Sequence, residues 1–101
     1  MSEKLDLDAL ERFKNPMTPY GMLVRALRIV AGTTLMDMAN YLNTSPAQLS
    51  GMEHGRKPVT YHDAVEASGY FQRLGVRGVL PALDAALSAV DPVKRNGGND
   101  A

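Results

Sequence analysis

An all-α protein is what this sequence predicts: a compact bundle of about five helices with a helix-turn-helix inside it. Three observations carry that expectation. Hydroxyl residues suited to cap a helix stand at Thr18, Thr34, Ser45 and Thr60, where a side-chain oxygen can accept from an otherwise unpaired backbone N–H. Apolar residues then recur three and four positions apart, and no alternating run marks a strand. Gly32, Asn43 and Gly55 fall where those helices must stop, each able to take the left-handed backbone of a helix exit.

Residues 1–17 form a leader in which Leu7, Leu10 and Phe13, or Lys14, recur at helical spacing. Its short helix is expected to end near Asn15-Pro16, because the residue before proline avoids the helical region. Thr18-Pro19 opens the next helix, proline suiting the first position, where the N–H has no partner anyway. That helix is expected to reach about Ala31 and to bury Met22, Leu23, Ala26, Leu27 and Val30. Gly32 stops it.

Thr34 and Asp37 begin a second helix that runs to about Leu42, with Asp37 also favouring the positive end of the dipole. Asn43 then turns the chain. Ser45, Pro46 and Gln48 write the third helix start, with Gln48 able to reach back to the cap residue. Ala39 lies where the two helices cross, so its small side chain lets the backbones approach, while Met38, Leu42, Leu49 and Met52 supply a shared apolar face. After the G-R-K-P-V loop, Thr60 and Asp63 start a fourth helix with Val65, Phe71 and Leu74 as inward residues. Gly69 weakens it by roughly 1 kcal/mol relative to Ala, enough to fray or kink it there. The last helix spans about Val79 to Val90 with Pro81 in its first turn, completing a domain over residues 18–91. Residues 92–101 are polar and are expected to be disordered.

Composition bounds the function without fixing it. A chain of 101 residues that is 45% hydrophobic makes one modest core. There is no cysteine, so disulfides and thiolate metal sites are excluded. The first residues alternate in charge, and nothing approaches the ~20 apolar residues of a membrane span; a soluble, cytoplasmic chain is expected. Charge is balanced at 11 basic and 11 acidic residues, which is low for a protein that neutralises phosphate. Its distribution is uneven. Pro19 to Gly78 holds six basic residues (Arg25, Arg28, Arg56, Lys57, Arg73, Arg77) against four acidic ones (Asp37, Glu53, Asp63, Glu66), a local excess of two.

The ordered set Leu27-Arg28-Ile29, Thr34, Met38-Ala39 and S-P-A-Q-L-S-G-M-E-H-G-R-K from Ser45 to Lys57 resembles the Cro-like, phage-repressor type (XRE family) of helix-turn-helix regulators. The resemblance covers roughly Thr18 to Leu74. It implies a lambda repressor-like fold whose third helix enters the major groove of double-stranded DNA. It also implies that Arg28 pairs with Glu53, fixing that helix to the scaffold without touching DNA.

Candidate contacts follow from reach and chemistry. The outward face of the third helix is expected to offer Pro46, Ala47, Gln48, Ser50, Gly51 and His54. Gln48 can pair bidentately with adenine, and Ala47 can touch a thymine methyl; the rival use of Gln48 is its capping box. His54 suits either a phosphate contact or a dipole-favoured surface position. Gly51 departs from the longer polar residue frequent in the family, which weakens direct readout or admits the DNA backbone closely. Backbone N–H groups at Thr34, Leu35 and Ser45, with the Thr44 hydroxyl, are candidate phosphate ligands. Leu35 stands where the family often has glutamine, leaving only its N–H for that work. Arg56 and Lys57 add charge or merely solvate a turn. Arg25 is a further phosphate candidate.

Leu80, Leu83, Leu87 and Val90 follow a three-four-three spacing that serves either the chain's own core or a two-fold homodimer interface. His54 and His62 have no metal-ligand spacing, and there is no phosphate-cradling glycine loop, so neither catalysis nor a metal or other cofactor is expected. The sequence thus reads as a dimeric, operator-binding repressor. The rival reading is a protein-interaction module, such as an antitoxin, antirepressor or assembly factor, that meets a protein partner through Leu35, Met36 and the last helix.

Overall fold

Side-chain caps set where the helices of this chain begin. In the computed structural model, which describes residues 16–89, Thr18, Thr34, Ser45 and Thr60 each accept a hydrogen bond from the backbone N–H three residues on. The helices they open are α1 Pro19–Ala31, α2 Leu35–Tyr41, α3 Pro46–Glu53 and α4 Tyr61–Arg73; α5 Leu80–Ser88 follows Val79, which makes no side-chain cap. Only Thr60 and Asp63 close the full reciprocal box. The chain is all-helical over these residues, with no strand among them. The leader helix, the polar tail and Val90 lie outside the described residues.

Exits are equally local in origin. Gly32 (φ 72°) ends α1 and Gly55 (φ 77°) follows α3, while Asn43 at φ 59° is the one non-glycine described residue in the left-handed region. Asn tolerates that conformation better than other chiral residues.

Val24, Met38, Phe71 and Leu83 are the largest fully buried side chains. Around them α1 packs on α5, α3 and α4, α4 packs on α5, and α2 packs on α3. The two crossing helices bury Met38, Ala39 and Leu49, with Leu42 and Met52 partly covered at the edge.

The inward face of α1 differs from the one expected. Met22, Ala26 and Val30 are exposed, and the buried line is Tyr20, Gly21, Val24 and Arg28, with Leu23, Leu27 and Ala31 partly covered. The cause is tertiary. Apolar residues fill one broad arc of α1, and Gly21, Arg25 and Arg28 share the sector left over, so hydrophobicity alone turns that sector to water; Gly21 and Arg28 instead engage α3 and so set the rotation. In α4 the expected Val65 and Leu74 are 39% and 42% exposed, whereas Ala64, Ala67, Tyr70 and Phe71 face the core. Alanines win there because they let α4 approach its neighbours closely. The helix also continues through Gly69 without a break, held on both sides of the glycine by Ala67, Tyr70 and Phe71. The last helix is shorter than expected, ending at Ser88.

Candidate nucleic-acid interface

The inner face of α3 is locked to the scaffold by charge, backbone contact and packing together. The Arg28 guanidinium donates to both Glu53 carboxylate oxygens, at 2.5 and 3.1 Å, and also approaches the Met38 sulfur at 3.7 Å. Both partners are buried. The Thr18 N–H and hydroxyl donate to the Glu53 carbonyl at 3.0 and 3.2 Å. At Gly21 a Cβ would stand 2.0 Å from that same carbonyl oxygen, so only glycine lets α1 and α3 touch. The turn before α3 is tied back by the Thr44 N–H, which donates to the Ala39 carbonyl at 2.9 Å.

On the outer face, Ala47 and Gln48 are exposed, while Pro46, Ser50 and His54 are half-buried. The Gln48 backbone N–H is bound by the Ser45 hydroxyl at 3.1 Å, but the reciprocal half of the box is not made. Its amide is therefore available to an outside partner. His54 Nδ1 lies 2.9 Å from the Ser50 carbonyl; a carbonyl only accepts, so this nitrogen carries the hydrogen. Nε2 is left as the outward-usable atom.

Gly51 shares that outer face with Ala47 and Gln48 but is covered there. It is buried, and a Cβ there would lie 3.3 Å from Lys57 Cγ. Its carbonyl also accepts from the N–H groups of Arg56 and Lys57 at 2.8 and 3.1 Å. The space left by the missing side chain is thus filled by the Lys57 stem and is not open to a DNA backbone. The same contact anchors the loop, leaving Arg56 and Lys57 as exposed cations beside the end of α3.

No family model, curated protein or solved structure matches the chain.

The other candidate residues are more scattered. Thr34 is exposed but its hydroxyl caps α2; Leu35 and Thr44 are half-buried, and Ser45 is exposed with its hydroxyl engaged on Gln48. Helix geometry leaves the first N–H groups of α2 and α3, including those of Leu35 and Ala47, without an intrahelical acceptor. Arg25 is exposed on α1 with Nη1 4.0 Å from the Met17 sulfur. Along the last helix, Leu83 is wholly buried in the chain's own core, and Leu80 and Leu87 are partly buried against it. Only the latter two of the described stripe retain surface for a second copy.

Two features escaped the sequence reading. Thr33 and Tyr70 join their hydroxyls, tying the α1–α2 corner to α4. Met22, Ile29 and Val30 on α1 are 56%, 72% and 73% exposed, an apolar surface to which α2 adds Met36, 55% exposed and already expected to meet a partner. The excess of apolar residues over what one face of α1 can bury was the available signal. Among the described residues no group of three His, Cys, Asp or Glu is placed to hold a metal ion, and no helix is long and apolar enough to cross a membrane.

Proposed function

We propose that this chain is a sequence-specific DNA-binding regulator of the phage-repressor type, acting as a dimeric repressor on a palindromic operator without catalysis or cofactor. One observation carries the reading: α3 is fastened by its inner face through Glu53 and Leu49, while the unbonded Gln48 amide and Ala47 stand outward beside Arg56 and Lys57. Rigid support of a reading helix matters because base contacts need side chains held in register by phosphate contacts. Gln48 and Ala47 supply the adenine and thymine chemistry. Arg56, Lys57, the His54 Nε2, the Thr44 hydroxyl and the free N–H groups supply the phosphate chemistry, with Arg25 as a further cation. Two copies joined through Leu80, Leu87 and Val90 set their reading helices about 34 Å apart, one turn of the duplex.

The test is selection of bound sequences from a random duplex library, followed by titration of the preferred site with the Gln48→Ala chain. The expected outcome is an enriched palindrome, with Gln48→Ala weakening binding by about 1–3 kcal/mol and relaxing specificity at one position per half-site. Failure to retain any duplex at low salt would sink the proposal. The exposed Met22, Ile29, Val30 and Met36 favour a second reading, a protein-interaction module on the same scaffold. In that case no sequence is enriched, and polar substitution of Ile29 and Val30 abolishes capture of the partner.

A further inference from the structure

Where α1 begins and α5 ends, the surface carries a groove of about 650 Å³ whose described lining includes Pro16, Met17, Met52, Val59, Ala86 and Leu87. These side chains are apolar, and all but the exposed Pro16 are only half-buried. Two stretches of the chain arrive there: residues 1–15 join it at Pro16, and residues 90–101 leave it beyond Ala89. Their compositions are unlike. The first contains Leu5, Leu7, Leu10 and Phe13; the second has Val90 and Val93 among charged residues, asparagines and glycines. Two residues separate Phe13 from Pro16, and the three Cα–Cα steps between them reach at most about 11 Å, so the Phe13 Cα lies within that distance of the groove's rim in any conformation. Leu10 and Phe13 share one face of a helix.

We propose that Leu7, Leu10 and Phe13 of the chain's own leader occupy this groove, with Phe13 as the anchor. An aromatic ring gives the largest apolar contact available to so short a segment, and the groove offers aliphatic and thioether walls to receive it. Lys57 and Gly55 also border the groove, so a seated leader braces the loop after α3 from behind. The inference stands whatever α3 binds.

The sequence contains no tryptophan, which makes the full-length Phe13→Trp chain a single-indole reporter. Its emission is expected to be blue-shifted relative to the urea-unfolded chain, with iodide quenching reduced severalfold, and both readings should persist on dilution. Adding Val59→Asp, in the loop before α4, should restore solvent-like emission while far-UV circular dichroism still shows a folded protein. Should that substitution unfold the chain, Ala86→Asp in α5 makes the same test. Solvent-like emission from the folded reporter would overturn the proposal, as would a blue shift that groove substitutions leave unchanged. A shift lost on dilution would assign the groove to the leader of a second copy instead. A blue-shifted Val93→Trp reporter beside a solvent-exposed Trp at position 13 would assign it to the tail.

Discussion

Glu53 ties α3 to α1 at three positions. Its carboxylate holds Arg28, its carbonyl accepts twice from Thr18, and its backbone lies against Gly21. Removing one member of a buried ion pair strands the other charge away from water, so Glu53→Ala should destabilise by about 3–5 kcal/mol. A urea melt unchanged from the parent would contradict that account. Tyr20 makes a second residue-level case. Burial raises the affinity of its hydroxyl for its proton, and the carboxylates of Asp63 and Glu53 add to the effect. In the unfolded chain the phenol titrates near 10.0. Above that pH the unfolded state releases a proton that the folded state retains, so Tyr20 makes stability fall as pH rises. Melts between neutral and strongly alkaline pH should show a smaller loss in Tyr20→Phe than in the parent chain.

At the level of helices, local signals fix starts and stops, and partners fix rotation. Four caps and the exits at Gly32, Asn43 and Gly55 depend on hydrogen bonds within a few residues, which is why they were legible in the sequence. Which side of α1 faces inward was not, since Gly21 and Arg28, which turn toward α3, lie in the same polar sector as the exposed Arg25. Gly69 shows tertiary packing overriding propensity. It is exposed, lies mid-helix, and has nothing within 4 Å of where its Cβ would stand. Gly69→Ala should therefore stabilise the fold by roughly 0.5–1 kcal/mol, because the mutation removes backbone freedom from the unfolded chain at no steric cost. A thermal melt that moves downward would show that the glycine serves α4 in another way.

For the whole molecule, balanced charge is the governing quantity. Under the proposed reading, a dimer that engages roughly four phosphates through Arg56 and Lys57, exposed cations beside the end of α3, gives a log–log salt slope of about −3.6 at about −0.9 per contact. Titration of the selected operator across ionic strength checks this; a slope of about −5.4 would mean that Arg25 also reaches phosphate in each copy, and one twice as steep as the first that cations outside the proposed set, such as Arg73, join the interface. The sequence by itself determined the all-helical class and the places of the four side-chain caps and the turns, since these rest on short-range hydrogen bonding, whereas the Arg28–Glu53 pair was expected only from a resemblance. Tertiary structure alone decided that Leu83 serves the core and that Ile29 and Val30 face water. Those outcomes turn on how closely whole helices approach one another, and that distance is set by contacts such as Gly21 against Glu53, between residues far apart along the chain.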